Sequence, residues 1–398
     1  MHTIRKVLIL SAEYGEGHQQ AALAMKEAFM QADSSIQVEI VDYLQMVNPL
    51  LNSVTRYCLI QSVRYAPSLY GYFYNRTGKL KSSSRIQTYL NQLGIDELEQ
   101  YIHDFKPDIV ISTFPAPAGV MSVLKERGLT NVPTATVITD YAIHNQWIHP
   151  FTDMYFVGSE YVRRGLIARG VSEQKIYVTG IPIRSSFAAP LKKMELIQKY
   201  KLDPNLPTVL LMGGSYGVLS DITSIGEELL KFARPIQVLI VCGRNEKLYS
   251  HFQKRSDDAS NLARIFGFTH KINELMAISD LIITKAGGLT VSESLAMELP
   301  MLLYRPIPGQ EQQNSKFLVQ SQVALLAKTR NQVSDHLHTL LQAETADILQ
   351  TMKKNMKRLK KPFAANQIVD LVIRKASIND SISQRSQSLE TWTSEQIW

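Results

Sequence analysis

Four short segments combine residue types that chemistry can use. Gly15-Glu16-Gly17-His18 sets an imidazole beside two glycines. With an ordinary pKa of about 6.5, such a ring can take a proton from a hydroxyl, and glycine-turn amides, including that of Gly17, approach an anion closely. Gly213-Gly214-Ser215-Tyr216-Gly217 repeats the glycine pattern. Gly214 and Gly217 can bring main chain against a phosphate, and Ser220 or Asp221 can cap the helix expected next. Thr284-Lys285-Ala286-Gly287-Gly288-Leu289-Thr290-Val291-Ser292-Glu293 adds a carboxylate. Gly287 and Gly288 would present helix-start amides to a diphosphate, while Glu293, one turn on, would accept from both hydroxyls of a ribose. Pro306-Ile307-Pro308-Gly309-Gln310-Glu311-Gln312-Gln313-Asn314 reads as a loop whose amides and carboxamides can orient sugar hydroxyls. Each segment also has a plainer reading, as a tight turn, a strand-to-helix connection or a solvated polar stretch.

The elements that would carry these segments follow a strand-and-helix alternation. Apolar runs at Val7–Leu10, Val38–Val41, Asp108–Ser112, Thr134–Thr139, Met154–Val157 and Lys175–Thr179 read as buried strands separated by helical stretches. A second series follows at Thr208–Met212, Ile236–Val241, Leu262–Phe266, Leu281–Thr284, Met301–Tyr304 and Val323–Lys328. These runs lack alternation, as strands covered on both faces do. The expected fold class is α/β: two Rossmann-like doubly wound lobes facing a cleft, with ligands at the carboxyl ends of the strands. The boundaries are a first lobe over 1–185, a linker over 186–207, a second lobe over 208–362, a helix over 363–376 crossing back to the first lobe, and a polar tail over 377–398. A dinucleotide fingerprint is a rival for the first glycine loop, since Asp42 ends the second strand. Against it, Gln20 holds the third glycine position and His18 crowds the loop.

Composition narrows the class. The 398 residues are 45% hydrophobic and 20% charged, with a mean hydropathy of -0.09, as in a folded two-domain chain. No run reaches the roughly 18 to 20 apolar residues of a membrane-spanning helix, and the first residues read as a strand, not an export signal. Cys58 and Cys242 lie outside any disulfide or zinc spacing, which fits a reducing cytosol. The excess of 43 Lys and Arg over 36 Asp and Glu favours an anionic partner.

In their order along the chain, Tyr14–His18, Thr139-Asp140, Thr179–Ile183, Val241–Gly243, Thr284–Gly288 and Pro308–Glu311 resemble the processive diacylglycerol glycosyltransferases of glycosyltransferase family 28, up to about Leu371. The resemblance implies the two-lobe GT-B fold and a UDP-sugar in the second lobe. Glu293 would meet the ribose, Gly287 and Gly288 the diphosphate near Lys285, Gln310 and Glu311 the hexose, and Gly243 and Phe268 the uracil. His18 matches the family's essential histidine, Asp140 would support it, and Trp147 matches an aromatic near the acceptor and anionic lipid. The implied reaction moves glucose from UDP-glucose to diacylglycerol with inversion, and further sugars onto the product. No metal or cofactor is expected, because glycine-loop amides and helix dipoles would hold the departing UDP. Other readings are a UDP-galactose or polyprenyl-acceptor transferase, a UDP-sugar epimerase and a non-enzymatic UDP-sugar sensor. The chain departs from the family at Ala286, where proline is common, and at Glu16, where asparagine or glycine is usual. A carboxylate at Glu16 would raise the histidine's pKa if the two were close.

Between Tyr57 and Tyr89 aromatic and basic residues interleave without an acid, among them Arg64, Tyr70, Tyr72, Phe73, Arg76, Lys79, Lys81 and Arg85. Tyr70, Tyr72, Phe73 and Arg76 are the expected contacts with acceptor and anionic lipid, at the cytoplasmic face of the cell membrane. Single-stranded nucleic acid would use the same chemistry. The resemblance favours lipid and no nucleic acid.

Overall fold

In the computed structural model the described residues are 4–375, except 14–15, 79–83, 85–86, 88–90, 214–220, 257–258 and 342–345. Two six-stranded, all-parallel sheets form two lobes. The first contains β1 (Lys6–Ser11), β2 (Gln37–Asp42), β3 (Ile109–Ser112), β4 (Thr134–Val137), β5 (Met154–Phe156) and β6 (Ile176–Tyr177) in the order β2-β1-β3-β4-β5-β6. The second contains β7 (Thr208–Met212), β8 (Gln237–Val241), β9 (Leu262–Phe266), β10 (Leu281–Thr284), β11 (Met301–Tyr304) and β12 (Ala324–Ala327) in the order β12-β11-β10-β7-β8-β9. Every expected strand forms, because each run is apolar enough to be covered on both faces; Val209, Leu210 and Leu211 and their partners Leu281, Ile282 and Ile283 are fully buried. The strand order reverses between β1 and β3 and between β7 and β10. Adjacent connections diverge there and leave a crevice at the carboxyl ends.

The chain closes where it began. Residues 364–375 form a helix whose Ala365, Ile368, Val369 and Val372 join Val7, Ile9, Met25 and Phe29 in one core. The second lobe is therefore inserted into the first. Its outgoing and returning connections pass side by side at Gly180 and Lys361, where a Cβ on Gly180 would lie 2.4 Å from the Cβ of Lys361. Gly180 has φ +94°, a second reason for glycine.

The lobes meet closely at two places. A Cβ built on Gly288 would sit 2.0 Å from the carbonyl oxygen of Thr139, so main chain rests on main chain. In addition, the helix Pro67–Thr77 lies on the Pro308-Gly309 turn: a Cβ at Gly71 would be 2.3 Å from that of Pro308, and one at Gly309 would be 2.8 Å from Tyr74 Cγ.

Two local expectations are corrected. Gln310–Asn314 is not loop but the start of the helix Gln310–Gln320; Gly309, at φ +106°, turns the chain so that the polar run winds into a helix with Asn314 and Ser315 buried. Asp221 stands before the helix Ile222–Leu230 but makes no side-chain cap, since its carboxylate is taken by the Tyr304 hydroxyl and Arg305. Ser220 and the polar tail lie outside the described residues.

Gly288→Ala should lower the unfolding temperature by several degrees, because the obstructing atom is backbone and overpacking of this kind costs about 1–3 kcal/mol. Gly287→Ala, whose Cβ would meet nothing within 4 Å, should leave it nearly unchanged; thermal unfolding followed by circular dichroism compares the two.

Candidate active site

His18 sits in the first turn of the helix Glu16–Ala32, directly after β1 at the first reversal. Its Nδ1 lies 2.7 Å from the Thr113 carbonyl oxygen, just past β3, and 3.0 Å from Thr139 Oγ1, just past β4. A carbonyl can only accept, so Nδ1 carries the proton and Nε2 keeps the lone pair. Burial drives the pKa down to about 4, against the opposing pull of the Thr113 bond. The ring packs edge-on to Phe114, centroids 5.2 Å apart, with Trp147 at 6.3 Å. The expectation that Glu16 would raise this pKa fails. Glu16 turns to Arg244 across the cleft, 3.3 Å away, and desolvation governs the imidazole.

On the second-lobe side, a cavity of about 320 Å³ gathers residues from several strand ends: Gly17, Gly243, Phe268, Lys285, Gly287, Gly288, Glu293, Gln310 and Glu311. Gly243 follows β8 at φ +60°, and Arg244 lies over the Phe268 ring at 5.0 Å. Glu293, on the helix Gly288–Ala296, is buried and pushed up to about 7 by desolvation, which Arg184 partly offsets. Burial also lowers Lys285 and raises Glu311, each opposed by the other's charge. Glu311 accepts the Ile307 N–H at 2.9 Å. Gly287 faces open space, whereas Gly288 is needed first for the Thr139 contact. Gly214 and Gly217 lie outside the described residues.

A second cavity of about 610 Å³ opens on the first-lobe side beneath the helix Pro67–Thr77, walled by Leu69, Tyr70, Phe73, Tyr74, Phe114 and Trp147. His18, Asp140 and Gln310 line both cavities. Tyr70 is half-buried, and desolvation, with the charges of Asp140 and Glu311, pushes its phenol up to about 12. Tyr72 and Phe73 are 58% exposed, and Arg76 is also exposed. Trp147, 4% exposed and packed with Tyr155 and Val162, walls the cavity and is not part of the exposed surface. Lys79, Lys81, Arg85, Tyr89 and the Arg64 side chain lie outside the described residues.

Asp140 is buried between the cavities and raised to about 6 by desolvation, with the Asn314 amide pulling the other way at 3.2 Å. Two residues here escaped the sequence reading. Asn314 fell inside the polar run taken for a loop. Arg184 follows the Thr179–Ile183 motif, yet it donates to the His270 carbonyl at 2.9 Å and lines the second-lobe cavity with its Nε buried and unpartnered.

Residues 18–183 match the monogalactosyldiacylglycerol (MGDG) synthase family model, and residues 208–370 match the glycosyltransferase family 28 C-terminal domain. Over 378 residues the chain is 31% identical to the processive diacylglycerol beta-glucosyltransferase of Bacillus subtilis (strain 168), covering 95% of this chain and 97% of that protein. The chain belongs to glycosyltransferase family 28. A second family relative, the processive diacylglycerol beta-glucosyltransferase of Bacillus pumilus (strain SAFR-032), is 32% identical over 380 residues, with the same coverage. Among solved structures, Acinetobacter baumannii MurG superposes with a TM-score of 0.60 at 16% identity, over 93% of this chain and 99% of that one. The Neisseria meningitidis UDP-GlcNAc 2-epimerase bound to UDP-GlcNAc gives 0.59 at 15%, over 93% and 100%. These likenesses establish the two-lobe GT-B fold of this family 28 glycosyltransferase.

The His18 pKa is testable without substrate. Between about 6.5 and 4 the unfolded chain binds the proton and the folded site does not, so the stability owed to the neutral ring is present above 6.5 and is lost as pH falls through 4. NMR titration should show His18 still neutral at about pH 5.5, an ordinary histidine being mostly protonated there.

Proposed function

We propose that this glycosyltransferase moves glucose from UDP-glucose to the free hydroxyl of 1,2-diacylglycerol with inversion, then adds further glucose to the glycolipid. The observation that carries the reading is the common wall of the two cavities: His18, Asp140 and Gln310 border both. The relatives named above act on diacylglycerol, and the cavity beneath the aromatic helix is of the apolar kind that acceptor needs.

UDP-glucose would occupy the second-lobe cavity, with uracil near Gly243 and Phe268, ribose on Glu293, diphosphate against Lys285 and the start of the helix Gly288–Ala296, and hexose on Gln310 and Glu311. The acceptor hydroxyl would approach the anomeric carbon from the face opposite UDP. As the new C–O bond forms, the bond to UDP breaks and its electron pair leaves with the diphosphate. The hydroxyl proton passes to Nε2 of His18. A ring with a pKa of about 4 stays available as a base at any physiological pH but accepts the proton only late, once the attacking oxygen has become strongly acidic. Lys285 and the helix-start amides would stabilise the departing charge without a metal ion. Transfer in EDTA should match transfer without it.

No described helix is long and apolar enough to cross a membrane. Attachment would be peripheral, through the exposed Leu69, Tyr72, Phe73 and Arg76 of the helix Pro67–Thr77, at a surface rich in anionic lipid.

Purified protein with radiolabelled UDP-glucose or UDP-galactose and diacylglycerol in mixed micelles should label lipid from UDP-glucose. Labelling from UDP-galactose alone would replace the donor assignment, and labelling from neither would end the proposal. His18→Ala should abolish transfer while UDP still binds by calorimetry. UDP affinity should weaken as pH falls below about 7, because Glu293 must be ionised to accept from both ribose hydroxyls, and Glu293→Gln should flatten that dependence. Tyr72→Ala with Phe73→Ala should reduce binding to phosphatidylglycerol vesicles about tenfold or more and leave UDP affinity alone.

A further inference from the structure

Asn314 has no exposed surface, yet all of its hydrogen-bonding groups are engaged at the junction of the lobes. Its Nδ2 donates to the Ala286 carbonyl at 2.9 Å and to Asp140 Oδ1 at 3.2 Å, and its Oδ1 accepts the Tyr141 N–H at 2.9 Å. A flipped carboxamide would set oxygen against two acceptors and NH2 against a donor, so its orientation is unambiguous. The neighbouring Gln313 accepts the Ile143 N–H, which holds the same segment a second time. One carboxyl oxygen of Asp140 is thereby fixed, and Oδ2 is left without a hydrogen-bond partner among the described residues, on a side chain that lines both cavities.

We propose that Asn314 is a positioning residue for the transfer reaction: it ties the donor-side loop at Ala286 to the acceptor-side carboxylate Asp140 and aims Oδ2 at the point where the two substrates meet. The inference rests on the proposed reading of the site. Ala286 directly precedes the two glycines at the donor cavity, and Tyr141 directly follows Asp140, so one carboxamide fixes the spacing between donor loop and acceptor wall. A misplacement of about 1 Å there can cost on the order of 100-fold in rate. The charged and titratable groups facing Asp140 are His18, which shares both cavities with it, Tyr70 and Tyr74 from the overlying helix, and Glu311 with its partner Lys285. Of these, Glu311 and Lys285 carry opposed charges, and Asn314 is the group that donates to the carboxylate.

The test uses the full-length protein, UDP-glucose and diacylglycerol micelles. Asn314→Ala should lower kcat about 100-fold with UDP affinity changed less than about threefold. Because the amide donation holds the Asp140 pKa down, its loss should move the acid limb of kcat upward by about one pH unit. Asn314→Asp keeps the shape and sets a second carboxyl against Asp140, which raises the titration of the pair; it should shift the limb the same way and carries the test if the alanine variant does not fold. On an Asp140→Asn background, Asn314→Ala should add little further loss in kcat. A lowered unfolding temperature with an unmoved acid limb, or losses that add in the double variant, would reduce Asn314 to a structural role and overturn the inference. A wild-type protein that labels no lipid would fell the functional reading as well, whereas an active wild type with an indifferent Asn314 would fell this inference alone.

Discussion

The architecture of the cleft depends on one contact, the Thr139 carbonyl seated where a side chain on Gly288 would be. Any Cβ at 288 would push the lobes apart. With glycine there, the first turn of the helix Gly288–Ala296 comes directly beneath the loop that carries Thr139 and Asp140. Thr139 in turn reaches His18. A single missing side chain thus sets the distance between the His18 imidazole of one lobe and the helix start of the other. Tyr141 extends the contact, stacking on Phe317 at 5.1 Å and sharing a hydrogen bond with Ser292.

Close approach has an electrostatic consequence. His18 is half-buried and Asp140 and Glu293 are buried, and desolvation displaces each toward its neutral form, the histidine downward and the two carboxyls upward. Displacements of this kind, in a crevice at strand ends, cluster at functional sites. They also make the site responsive to what enters it, since a diol on Glu293 or a charge near Asp140 supplies the solvation that burial has removed.

Much of this was legible in the sequence. All twelve strands were visible because parallel strands covered on both faces must be short, apolar and β-branched, and the glycine-bearing segments followed them at the ends where ligands bind. What was not legible depends on partners distant in sequence. Nothing near Asn314 signals that its amide will meet Ala286 and Asp140, and a run of Gln, Glu and Asn looks like loop until Gly309 is seen to start a helix. Arg184 gave no signal at the end of the first lobe because its partner, His270, lies in the other lobe. Trp147 carried an expectation of lipid contact, and its burial beside Tyr155 turns it toward the cavity and not toward solvent. The aromatic helix was visible as composition, but not that Leu69 and Phe73 would both wall a cavity and stand exposed.

The insertion of one lobe into the other limits how the enzyme can breathe. Because the chain leaves and re-enters the first lobe through adjacent strands of backbone at Gly180 and Lys361, the lobes share one paired hinge at a single edge. Motion about such a hinge resembles a book opening on its spine, with the widest excursion at the side away from Gly180 and Lys361. The residues nearest that spine would scarcely move.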